Sequence, residues 1–107
     1  MKLKTICLTL ALSSVIASAQ ADEDQIAKGK SLVEKFKCSI CHAIDGKGGK
    51  TGKPMNGIAE GKTDEYLKGS LLTPKETIDP KTKMPSYKDK MTDEEVDAVI
   101  AYLKTLK

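Results

Sequence analysis

The chain has 107 residues and a formal net charge of +3, with 31% charged residues, only 4% aromatic residues and no tryptophan. One small domain is the most that this length supports. No basic patch with interleaved stacking aromatics is present, so nothing points to nucleic acid as a partner.

The first segment, MKLKTICLTLALSSVIASAQA, pairs Lys2 and Lys4 with an apolar run from about Ile6 to Ala17 and a small-residue end. This pattern predicts a signal peptide over residues 1–21, cut after Ala21; a cut after Ala19 also fits the pattern. The apolar run is shorter than the roughly 20 residues a membrane span needs, so no stable membrane insertion is expected. Cys7 would leave with the leader. Losing Lys2 and Lys4 leaves sixteen basic residues against fifteen acidic ones, a net charge of +1. The expected mature domain, 22–107, has 86 residues and a single phenylalanine. A core this poor in large apolar side chains needs something to complete it, such as a disulfide, a metal or a large apolar cofactor.

Helical spacing starts at once. Ile26, Gly29, Val33, Phe36 and Ile40 recur at intervals of three and four, and the acidic stretch 22–24 suits a helix N-terminus. Gly29 on that stripe costs roughly 1 kcal/mol against Ala. It is either a close backbone crossing or an unremarkable surface glycine.

Cys38, Cys41 and His42 then stand as Cys-x-x-Cys-His, with the chain's one histidine. Cysteines three apart on a helical turn project to one side, where each can form a thioether to a haem vinyl group. The adjacent His42 is then the iron ligand. This pentapeptide is the attachment signature of c-type haem, and export suits it. A thioredoxin-like dithiol needs strands around the motif, and strand signals are absent. Structural zinc needs four ligands, and only three are at hand. A Cys38–Cys41 disulfide would close too short a loop to stabilise much. One covalent haem c is therefore the expected cofactor, and it also supplies the missing core.

Residues 45–61 hold six glycines and read as a long loop. Residues 63–72 read as a short helix capped by Thr63, with Tyr66, Leu67, Leu71 and Leu72 on its apolar side and Pro74 ending it. Residues 73–90, with three prolines, read as a second loop. The last helix is the clearest. Thr92 and Glu95 stand at capping-box spacing, Met91 and Val96 match a hydrophobic staple, and Val96, Val99, Ile100, Leu103 and Leu106 form one stripe flanked by Tyr102.

A second iron ligand from this chain cannot be histidine, which leaves methionine, lysine, an amine or water as candidates. Met91 is explained as the staple, and Met55 lies in the glycine loop. Met84 precedes Pro85, which biases it to extended backbone, and it stands forty-two residues past His42. Met84 is the preferred axial ligand, with Met55 as the alternative.

GKSLVEKFKCSICH, TKMPSY and MTDEEVDAVIAYLKTL together resemble the class I, small soluble monohaem cytochromes c, over essentially the whole mature chain. That resemblance implies an all-α fold of about three helices wrapped around one covalently attached haem. It also implies that Gly29 and Phe36 meet the last helix near Tyr102. In that family a Gly-Pro pair follows the motif, and its Pro carbonyl accepts a hydrogen bond from the ligand histidine; here Lys53-Pro54 is the nearest match, making Pro54 the expected acceptor. The expected function is that of a periplasmic one-electron carrier, not an enzyme, and a monomer. It would meet donor reductases and acceptor oxidases or reductases transiently. Lys47, Lys50, Lys53, Lys81, Lys83, Lys88 and Lys90 would rim the haem and steer acidic partners. The alternatives are a haem protein with an open or displaceable sixth ligand, binding small gases or reacting with peroxide, and a haem subunit docked to a larger enzyme.

Overall fold

The computed structural model describes residues 22–107, so the expected signal peptide at 1–21 lies outside the described residues. The described residues form four helices: α1 (helical over 22–35), α2 (Asp64–Leu72), the single-turn α3 (Pro74–Thr77) and α4 (Asp93–Thr105), with a 3-10 turn at Cys38–Ile40. Among the described residues there is no strand, only one isolated bridge between Ile44 and Lys47. None of these helices is long and apolar enough to cross a membrane.

α1 and α4 cross face to face. A Cβ on Gly29 would sit 2.8 Å from Tyr102 Cβ and even closer to the Ala98 carbonyl, so the glycine marks the crossing point, as the family resemblance implies. Around it lie the best-buried side chains, Val33, Val96 and Val99. Leu32, Leu67, Leu71, Ile100 and Leu103 extend this core.

α4 forms as its sequence dictates. Thr92 Oγ1 accepts from the Glu95 N–H at 3.2 Å, and the Glu95 carboxylate accepts from the Thr92 N–H at 2.9 Å. Two donors that a helix start leaves orphaned are thereby satisfied. Met91 and Val96, on either side of the cap, are both buried. α2 is capped by Thr63, whose hydroxyl accepts from Tyr66 N–H at 3.1 Å. Lys68 pairs with Asp97 at 3.1 Å, and Lys104 reaches back to Asp64, tying α2 to α4 at the surface.

Two sequence expectations change. Pro74 does more than end α2: it opens α3 inside the segment 73–90 that reads as loop, because the first helical position has no use for an N–H. Ile40 does not continue the α1 stripe. Lys37 takes a left-handed conformation, φ 56°, which stops α1 and turns the backbone, leaving Ile40 67% exposed.

Candidate haem-attachment site

The left-handed Lys37 starts the site. It redirects the chain into the 3-10 turn, where the Cys41 N–H donates to the Cys38 carbonyl at 3.2 Å and the His42 N–H donates to the same oxygen at 3.0 Å. Cys38 and Cys41 thus share one turn and are free thiols, Cys38 half-buried and Cys41 exposed. Burial pushes the Cys38 thiol pKa up. Among the described residues there is no group of three or more His, Cys, Asp and Glu placed to hold a metal ion.

His42 Nδ1 lies 2.6 Å from the carbonyl oxygen of Lys53. A carbonyl can only accept, so Nδ1 carries a proton, and in the neutral ring Nε2 then keeps its lone pair. That neutral tautomer is the one a metal-binding imidazole needs, and a backbone carbonyl is a partner that orients such a ring. The acceptor is Lys53, not the expected Pro54. The accepting carbonyl therefore lies one residue before the proline. The register is set by backbone contacts: Gly52 N–H donates to the Cys41 carbonyl and Met55 N–H to the Ala43 carbonyl, each at 2.8 Å.

The glycine-rich segment is not a free loop. Gly49 N–H donates to the Ser39 carbonyl at 2.8 Å, and a Cβ on Gly49 would collide with the Ile40 backbone. A Cβ on Gly52 would meet three atoms of the His42 ring, at 2.5, 2.7 and 3.0 Å. Asn56 closes the segment, accepting from the Asp45 N–H and donating to the Asp45 carboxylate, both at 2.8 Å. These contacts were invisible in a sequence read only for side chains. The glycine content was their one signal, since backbone can approach backbone closely only without a Cβ.

The three described methionines divide. Met55 and Met91 are core residues, 6% and 7% exposed. Met84 is only partly buried and lines an open cleft of about 710 Å³ with Leu72, Pro74, Lys83, Pro85 and Lys88. Cys38, Cys41 and His42 do not line that cleft. Tyr87, three residues on, links the two regions. Its N–H donates to the Leu71 carbonyl at 2.9 Å, and its ring meets Phe36 edge to face at 5.5 Å. Burial raises its phenol pKa, with smaller contributions from the nearby Cys38 and Cys41. Phe36 therefore anchors the methionine segment, a role its place on the α1 stripe did not indicate.

Two unpaired thiols on one turn, beside an imidazole whose Nε2 is left as an acceptor, fit a covalently bound haem. The comparisons agree. The sequence matches the cytochrome c family over residues 26–107. It is 31% identical over 88 residues to cytochrome c oxidase subunit 2 of Alkalihalophilus pseudofirmus, covering 75% of this chain and 25% of the relative. The chain thus spans about a quarter of that curated relative's length. No solved structure matches the chain. The chain belongs to the cytochrome c family, and that membership implies a covalently bound haem c.

Proposed function

We propose that this cytochrome c family member is exported to the periplasm, cleaved after Ala21, and works there as a monomeric one-electron carrier with His42 and Met84 as axial ligands. When bound, the haem supplies a single-electron iron couple. The chain's residues do the rest. Cys38 and Cys41 tether the group through thioethers, and His42 presents Nε2 with its tautomer fixed from Lys53. Met84 contributes a thioether sulfur, which with burial raises the reduction potential. Two protein ligands leave no coordination position for a substrate, which is why transfer rather than catalysis follows. Encounters with donor and acceptor proteins would be brief and small in area.

The observation that carries this reading is the division of the methionines: Met55 and Met91 are committed to the core, whereas Met84 is partly exposed and lines an open cleft. The test is CO binding to the ferrous holoprotein. Wild type should resist CO at neutral pH, and Met84→Ala should take it up rapidly; rapid uptake by wild type would overturn the closed-coordination reading in favour of an open gas- or peroxide-reactive site. Export is tested by mass, since the exported protein should weigh one haem more than a chain beginning at Asp22.

The likeness to an oxidase subunit favours a second reading, in which the chain is a haem subunit docked to a larger oxidase. Sedimentation of the purified holoprotein discriminates between them, and a soluble monomer counts against permanent docking.

A further inference from the structure

Asn56 is the chain's one asparagine, and a glycine follows it. An asparagine so placed is prone to lose its side-chain amide, because glycine puts no Cβ in the way of the attacking backbone nitrogen. The Gly57 nitrogen loses its proton and bonds to Asn56 Cγ, the Cγ–Nδ2 bond breaks, and ammonia leaves. Water then opens the succinimide at either carbonyl, giving aspartate or isoaspartate. No reactant other than water is needed.

The fold opposes each of these movements. Ile58 N–H donates to the Met55 carbonyl at 3.1 Å and Gly57 has φ 80°, which makes Asn56 and Gly57 the centre of a type II turn. The attacking nitrogen is committed elsewhere, since Gly57 N–H donates to the Leu106 carbonyl, just past α4, at 2.9 Å. The leaving nitrogen is committed too. Asn56 Nδ2 donates to the Asp45 carboxylate at 2.8 Å and to the Lys107 carbonyl at 3.4 Å, while Oδ1 accepts from the Asp45 N–H at 2.8 Å. Ring closure turns the Asn56 side chain and backbone together, so these bonds must part first. Asn56 is only half-buried, so water has access, and hydrogen bonding rather than burial supplies the protection.

We propose that Asn56-Gly57 is a spontaneous deamidation site held shut by Asp45 and Leu106, and that its conversion releases the end of α4 from the glycine segment. Aspartate at position 56 has no donor for the Asp45 carboxylate and sets a second negative charge beside it. Isoaspartate also routes the backbone through Cγ, adding a methylene between the bond to Asp45 and the bond to Leu106. Either product is permanent. None of this depends on which residues ligate the iron.

The experiment incubates ferric holoprotein in mildly alkaline buffer and follows Asn56 by peptide mass; the same protein unfolded in guanidinium gives the unprotected rate. Folded wild type should deamidate more slowly than the unfolded chain by at least about tenfold. Asp45→Gly suits the left-handed φ of 52° at that position and removes the charge-assisted bond, so folded Asp45→Gly should deamidate about tenfold faster than folded wild type. Gly29→Ala, which disturbs the helix crossing instead, should stay close to the wild-type rate. Equal acceleration in the two variants, or none in Asp45→Gly, overturns the role of Asp45; equal rates in folded and unfolded wild type overturn the protection altogether. Asp45→Ala takes the place of Asp45→Gly, with the same outcomes, should the latter yield no holoprotein. Asn56→Asp reads the release. Its Gly57 amide should exchange hydrogen about tenfold faster than in wild type, while the Gly52 amide, bonded to the Cys41 carbonyl, keeps its protection. A Gly57 amide as protected as in wild type overturns the release.

Discussion

Replacing Gly29 by alanine separates two physical effects of opposite sign. In an exposed helix the change would stabilise by about 1 kcal/mol through helix propensity. At this position the new methyl would lie 2.6 Å from the Ala98 carbonyl carbon and 2.8 Å from Tyr102 Cβ, and closer still to the Ala98 oxygen. Normal carbon contacts are about 3.5–4.0 Å, so α1 and α4 must part by roughly 1 Å. Ala98 presents backbone, which has no rotamer to escape into. The gap opens beside Val33, Val96 and Val99, the best-buried side chains. Overpacking of this kind costs about 1–3 kcal/mol. Immovable backbone argues for the upper end, and subtracting the propensity gain leaves a net loss of about 2 kcal/mol. For a domain of this size that is roughly 8–16 °C in Tm. Guanidinium unfolding of the ferric holoprotein measures it as a lower midpoint at unchanged m. Ala27→Gly, at an exposed position of α1, calibrates propensity alone and should cost about 1 kcal/mol. A Gly29→Ala midpoint at or above wild type would refute the crossing argument.

The same unfolding assay reads three further changes. The Thr92 N–H holds the Glu95 carboxyl below its ordinary pKa, so its contribution is full above the unfolded-state value and fades as pH falls through the carboxylate range. Wild type should therefore exceed Glu95→Gln in stability at neutral pH, with the gap closing below about pH 4; a gap that widens in acid contradicts the assignment. Asn56→Ala removes both bonds to Asp45 and should cost about 1–2 kcal/mol, with no loss counting against the loop closure. Lys37→Gly relieves a left-handed backbone at φ 56° and should be neutral or stabilising by up to about 1 kcal/mol. Lys30→Gly, within α1, should instead cost about 1 kcal/mol, and equal losses at both sites would refute the strain argument.

What was legible in the sequence was what local chemistry decides. The α4 capping box, its staple and its buried stripe follow from spacing alone, and so does the grouping of Cys38, Cys41 and His42. What was not legible depends on backbone meeting backbone. Ile40 keeps the helical interval from Phe36, yet Lys37, a residue with no special liking for left-handed geometry, ends the helix before it. Pro54 advertises itself as the family's proline. The carbonyl that reaches His42 nevertheless belongs to Lys53, because hydrogen bonds at Gly52 and Met55 set the register, and no side chain records them. Gly29 was balanced between two readings until the position of Ala98 decided it.

The two ends of the proposed ligand pair are supported very differently. On the histidine side, carbonyls at alternate residues, Ser39, Cys41 and Ala43, accept from Gly49, Gly52 and Met55, all at 2.8 Å. These bonds lock the turn and the glycine segment into one unit, and Lys53 adds the bond to the ring. On the methionine side, Met84 N–H reaches Thr82 Oγ1 at 3.3 Å, and Pro85 has no N–H to give. The nearest firm anchors are Ser86, whose hydroxyl donates to the Leu72 carbonyl at 2.5 Å, and Tyr87, whose N–H donates to the Leu71 carbonyl at 2.9 Å. Segments with few backbone bonds open first. The Met84 segment can therefore loosen while the attachment turn stays folded, so loss of the methionine should precede loss of the histidine under mild denaturant. Optical titration of the ferric holoprotein should show the sulfur-ligand band disappearing at a lower denaturant concentration than the backbone signal; a single coincident transition would mean that both sides open together and that these hydrogen bonds do not rank them.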